Sequence, residues 1–100
     1  MSRDASKPVV LVDGENVRRS GWPNLTREEL GARCRAWGDA NGREAIVFWE
    51  GAETADDAIT RWTEENERPY WLATSDRELR ERAGGRAERI VGGGAFLSEL

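Results

Sequence analysis

The sequence predicts an α/β fold of three layers, with helices on both faces of a small, mostly parallel sheet of four strands, in a single domain over residues 1–100. Three observations predict it. Four short runs of β-forming residues are spaced along the chain, helix-start patterns fall between them, and neither an internal repeat nor a linker breaks the alternation. Strands that alternate with helices are joined by crossovers, which make the strands parallel and place helices on both faces of the sheet.

The first run, Pro8-Val9-Val10-Leu11-Val12, is continuous, apolar and β-branched, as in a strand buried on both faces, and it stops at Asp13-Gly14. A loop with Gly21, Pro23 and Asn24 follows. Thr26 with Glu29 three residues later is a capping box, and Leu30, Cys34 and Trp37 recur at helical spacing up to an expected end near Asn41-Gly42. Residues 45–49 form the second β-type run, ending in Glu50-Gly51. Thr54 is the expected cap of an amphipathic helix with Ile59 and Trp62 on one face. Residues 70–74 are the third strand, and Ser75 with Glu78 is a second expected capping box, for a short helix through Leu79 and Ala83 that Gly84-Gly85 closes. Arg89-Ile90-Val91 is a short last strand, after which residues 92–94, all glycine, lead into a final helical turn carrying Phe96, Leu97 and Leu100.

Composition narrows the chemistry. With 34% charged and 38% hydrophobic residues, the 100-residue chain reads as one folded domain with a small core, which a second copy in a homodimer would supplement. Residues 1–7 are polar and no apolar run nears the roughly 20 residues needed to span a bilayer, so a cytoplasmic protein without a membrane partner is expected. Cys34 is alone and histidine is absent, which excludes an internal disulfide, a thiolate metal cage and imidazole catalysis. Carboxylates, hydroxyls, amides and arginines remain, and carboxylate oxygens favour hard cations such as Mg²⁺ and Mn²⁺. The net charge of −4 is opposite to that of a simple nucleic-acid binder, but acids grouped around a metal lower the sum, and fourteen arginines against one lysine supply guanidinium groups for phosphate.

Ligands of open parallel sheets bind beyond the C-terminal ends of the strands, where the strand order reverses. Asp13 follows the first strand, Glu50 the second and Asp76 the third, while Asp56 and Asp57 open the helix before the third strand. If the first and third strands are neighbours, Asp13 and Asp76 come within bridging distance of one metal. Converging carboxylates repel one another, and a divalent ion relieves that repulsion, activates water and stabilises charge on a phosphoryl oxygen. Asn16 is placed to orient a metal-bound water or a phosphate, and Arg18, Arg19, Arg77, Arg80, Arg82 and Arg86 to neutralise a phosphate backbone.

Structural alternatives stand beside each of these. Asp56 and Asp57 suit helix caps, Asn16 an Asx turn around Gly14, and the arginines a solvated face. Asp13 has no cap to serve if the next helix begins as late as Thr26. Trp37, Trp49, Trp62 and Trp71 fall at apolar positions, whereas Trp22, in a loop, is the candidate for base stacking. Cys34 lies on an apolar helix face, and the glycine run at 92–94 lacks the Lys-Ser/Thr of a phosphate loop.

Val-Asp-Gly-Glu-Asn-Val at 12–17, Glu-Thr-Ala-Asp-Asp-Ala-Ile at 53–59 and Thr-Ser-Asp-Arg-Glu-Leu-Arg at 74–80, with Gly-Gly-Ala-Phe-Leu near the end, together resemble the NYN branch of PIN-like nucleases, in particular the YacP-like bacterial proteins. The resemblance covers nearly the whole chain. It implies a PIN-like domain with Mg²⁺- or Mn²⁺-dependent endoribonuclease activity, RNA as partner in the cytoplasm, with or without the ribosome, and Asp13, Asp56 and Asp76 in the positions of the family's acidic ligands. Asn16 matches the asparagine of the first motif, and Asp57 and Ser75 would be supporting members. The chain departs from the family between Val47 and Glu53, where Trp49-Glu50-Gly51 runs almost directly into the second motif. The sheet is then short of one strand, and Glu50 replaces the acid normally found after the second strand or that acid is missing. The alternative function is a non-catalytic RNA- or protein-binding module on a shortened PIN-like scaffold. A phosphoacceptor domain of the receiver type ranks lower, because it needs a lysine after a late strand and the only lysine is Lys7.

Overall fold

The apolar run becomes the central strand β1 (Val9–Asp13) of the computed structural model, which describes residues 7–100; of the polar N-terminal stretch, residues 1–6 lie outside the described residues. All five residues of β1 are buried, as a β-branched strand with neighbours on both edges and both faces must be. It pairs in parallel with β2 (Ala45–Phe48) from Val10↔Ala45 to Asp13↔Phe48, and with β3 (Tyr70–Ala73) from Val9↔Tyr70 to Val12↔Ala73. β4 (Arg89–Val91) pairs in parallel with β3, which gives four parallel strands in the order β2-β1-β3-β4.

The pleat sends alternate side chains to two separate cores. Val10 and Val12 pack against Val17 of α1 (Gly14–Arg18), Leu30, Cys34 and Trp37 of α2 (Arg27–Asn41) and Phe96 of α5 (Gly93–Leu97). Val9 and Leu11 pack against Ile59 of α3 (Ala55–Glu65) and Leu79 and Ala83 of α4 (Arg77–Ala83). Helices therefore cover both faces, as the alternation of strands and helices requires. Among the described residues no helix is long and apolar enough to cross a membrane.

Most of the expected boundaries stand. Thr26 Oγ1 accepts from the Glu29 amide at 3.1 Å and Glu29 Oε1 from the Thr26 amide at 2.8 Å, and α2 ends at Gly42 with φ 66°. Thr54 caps α3 by accepting from the Asp57 amide at 3.1 Å. Trp37 lies between Trp71 and Phe96, Trp62 meets Tyr70 edge-on, and Trp22 is 90% exposed.

Two expectations are corrected. The chain does not wait until Thr26 to turn helical, because α1 follows β1 directly; five residues are too few for a periodic pattern to reveal. The cap of α4 is Asp76 rather than Ser75: Asp76 Oδ1 accepts from the Leu79 amide at 3.2 Å, while Ser75 Oγ is engaged by the Gly93 amide at 2.8 Å. That engagement draws Ser75 toward α5, and the helix starts one residue later.

Candidate functional site

The strand order reverses between β1 and β3, and beyond their C-terminal ends lies a cleft of about 670 Å³. Asp13, Glu50, Asp56 and Asp76 line it together, and Glu15, Asn16, Arg19, Ser20 and Arg27 complete the lining. Four acids from three separate parts of the chain thus meet in one place.

Asp13 occupies the N-cap position of α1, but its side chain makes no capping hydrogen bond. Its Oδ2 instead accepts from Thr74 Oγ1 at 2.9 Å, and the same hydroxyl accepts from the Asp76 amide at 3.1 Å. Thr74, wholly buried at the end of β3, thereby ties the first acid to the backbone of the third. Burial is the main cause that pushes the Asp13 carboxyl above its ordinary pKa; Thr74 opposes the shift, and the charges of Asp56, Asp76 and Glu50 add to it. Asp56 is also raised, by burial first, then by Asp76, with Arg82 opposing and Glu50 and Glu78 adding. Asp13 and Asp56 thus each feel the charges of Asp76 and Glu50.

The other acids have structural duties as well. Glu50 Oε2 accepts a hydrogen bond from the Ala55 amide at the start of α3, and Asp76 caps α4. Asp57 is exposed and paired with Arg82 at 3.0 Å, and it does not line the cleft. Among the described residues no group of three or more acids, cysteines or histidines converges into a ready-made metal cage. The donor set fits a different mode. Mg²⁺ retains several waters and commonly uses only one or two carboxylates, which suits hard oxygen donors of which two already serve helix starts.

Asn16 lines the cleft with its amide oxygen already engaged. Its Oδ1 accepts from the Ser75 amide at 2.9 Å, its carbonyl accepts from Ser20 Oγ at 2.6 Å, and Ser75 Oγ holds the Gly93 amide. This strap binds α1, the β3–α4 junction and α5 together at the rim of the cleft. A side chain at Gly93 has no room, since a Cβ there would lie 2.5 Å from both Asn16 Oδ1 and Ser20 Oγ; the glycine run is a packing device here.

The arginines divide. Glu15 accepts from Arg18 Nη2 at 2.9 Å and Arg27 Nε at 3.1 Å and forms an ion pair with Arg19 Nη2 at 3.2 Å; Arg18 first, then Arg27, hold its carboxyl below its usual value against the opposing effect of burial. Arg18 spends a further donor on the Leu25 carbonyl and does not line the cleft, whereas Arg19 and Arg27 do. Arg80 bonds the Thr74 carbonyl at 3.0 Å, and Arg86 bonds carbonyls of residues 63, 66, 67 and 68. Arg77, Ser75 and Trp22 are exposed and lie outside the lining. Sequence reasoning did not single out Thr74, Glu15 or Arg27. Thr74 was visible as a polar residue ending an apolar strand, and Glu15 as the i,i+3 and i,i+4 partner of two arginines. Arg27, twelve residues from Glu15, left no local signal.

Comparison with family models, with curated proteins and with solved structures finds no match.

Proposed function

We propose that this chain is a Mg²⁺- or Mn²⁺-dependent endoribonuclease of the PIN-like type that hydrolyses RNA phosphodiester bonds in the cleft beyond β1 and β3, in the cytoplasm. The observation that carries the reading is the meeting of Asp13, Glu50, Asp56 and Asp76, from three separate parts of the chain, beside Arg19 and Arg27. Charge repulsion on the buried Asp13 from three other carboxylates is the condition that a divalent cation relieves. RNA as the substrate follows from the resemblance of the three motifs.

A divalent ion bound there supplies water activation and stabilises charge on the phosphoryl oxygens. Asp13, held by Thr74, would be among the residues that hold the ion. Asp56, which lines the same cleft, would take a proton from the attacking water as the new P–O bond forms, and the leaving oxygen would take a proton from solvent as its bond to phosphorus breaks. Asn16 and Ser75 keep the strand ends in register, and Arg19 and Arg27 oppose the charge of the incoming phosphate.

A non-catalytic RNA- or protein-binding module on the same shortened scaffold is the second reading, favoured by the helix-start hydrogen bonds that already engage Glu50 and Asp76. The test is cleavage of labelled single-stranded and structured RNAs with Mn²⁺ or Mg²⁺, beside Asp13→Asn, Asp76→Asn and an EDTA control. Asparagine still caps helices, so Asp76→Asn keeps α4. Metal-dependent cutting that both variants lose supports the nuclease; a folded wild-type protein that binds RNA and cuts nothing supports the binding module.

A further inference from the structure

We infer that Arg19 and Arg27, gathered by Glu15, form a phosphate-binding wall of the cleft that takes the backbone of single-stranded RNA; the inference rests on the reading of the cleft as an RNA site. The four acids cannot receive a polyanion unaided. Even with one divalent ion their summed charge stays negative, so the nucleic-acid strand must approach over a surface of opposite sign.

The α1–α2 side supplies that surface. Arg18, Arg19 and Arg27 converge on the single carboxylate of Glu15, three positive charges against one negative. Arg18 is consumed by the fold, through Glu15 and the Leu25 carbonyl. Arg19 and Arg27 touch Glu15 through one nitrogen each, Nη2 and Nε respectively. A guanidinium has five N–H groups, so each retains donors for a phosphate oxygen, and their side chains are 64% and 52% exposed. Both line the same cleft as the acids.

Arg27 is also held from a second side. Its guanidinium carbon lies 5.2 Å from the centroid of the Trp49 ring. Trp49 in turn rests against Gly14, where a Cβ would come within 2.5 Å of Trp49 Cε3. The glycine after Asp13 thus lets Trp49 close over α1, and Trp49 with Glu15 orients Arg27. A guanidinium restrained in this way loses less entropy on gripping a phosphate than a free surface arginine does.

The experiment is fluorescence anisotropy of a labelled, single-stranded 2′-O-methyl RNA in Ca²⁺ over about 50–200 mM salt, the RNA being checked for integrity after each titration. Arg19→Ala and Arg27→Ala are each expected to weaken binding several-fold and to lower the magnitude of the slope of log K against log salt by about 0.7, the value for one phosphate contact on a single strand. Arg27→Lys keeps the charge and is expected to keep the slope while binding more weakly than wild type. Arg61→Ala, on α3 where it pairs with Glu53 and Glu65, controls for net charge and is expected to keep the wild-type slope. Wild-type slopes in both alanine variants, the same loss in Arg61→Ala, or no binding by the wild-type protein would overturn the inference. Cleavage is read separately: arginine-dependent binding without cutting overturns the nuclease and leaves the wall, whereas cutting with arginine-independent slopes does the reverse.

Discussion

Asp13 is buried, carries one hydrogen bond from Thr74 and faces the charges of three other acids, so its ionised form is disfavoured in the folded chain. A carboxyl whose folded pKa is raised binds its proton more tightly in the native than in the unfolded state. Its contribution to stability is therefore most favourable below the unfolded pKa of about 3.9 and falls as pH rises through the folded value. Asp13→Asn removes that penalty and keeps an oxygen for Thr74. The metal-free variant is expected to melt higher than wild type at pH 7, with the difference shrinking as the pH is lowered toward about 4. Addition of Mg²⁺ is expected to raise the midpoint of wild type and to raise that of the variant much less; equal shifts would remove Asp13 from the ion's surroundings. Thr74 acts through the same contact. Thr74→Val strips a partner from Asp13 and from the Asp76 amide and is expected to cost about 1–3 kcal/mol in urea unfolding, whereas Thr74→Ser keeps the hydroxyl and costs less.

Helix starts and ends were legible because their chemistry is local. Thr26 and Glu29 are three residues apart and satisfy each other's backbone amides, so the start of α2 could be read without tertiary information. Thr26→Ala is expected to cost about 0.5–2 kcal/mol, measured by thermal or urea unfolding, with no effect on the acid cleft. The start of α4 was misplaced by one residue for the opposite reason. Ser75 and Asp76 are both good caps, and what separates them is Gly93, eighteen residues downstream, which occupies the Ser75 hydroxyl. α1 escaped notice because a five-residue helix between a strand and a loop has no period to detect. Gly93→Ala is expected to loosen the strap from Asn16 through Ser75 to α5, since the added Cβ needs space that Asn16 and Ser20 hold; thermal unfolding should show a loss larger than that of Thr26→Ala.

Across the whole molecule, one strand serves two cores. Leu11 belongs to the α3–α4 side while Val10 and Val12 belong to the α1–α2–α5 side, so the sheet cannot lose either face and remain buried. Leu11→Ala is expected to cost about 2–5 kcal/mol, a large part of the roughly 5–15 kcal/mol that stabilises a typical domain, and to unfold both faces in one transition by urea. The sequence by itself determined the α/β class, the four strands and the acids at their ends, because hydrophobic period, β-branching and capping pairs are properties of adjacent residues. It also excluded imidazole and disulfide chemistry through composition alone. Only the tertiary structure decided that Asp57 leaves the cleft for Arg82 while Asp56 stays, that Asn16 Oδ1 holds the Ser75 amide, and that Arg27 joins Arg19 at Glu15. Each of those outcomes depends on which residues distant in the chain the packing of the helices around the parallel sheet brings within hydrogen-bonding reach, and no local pattern encodes that distance.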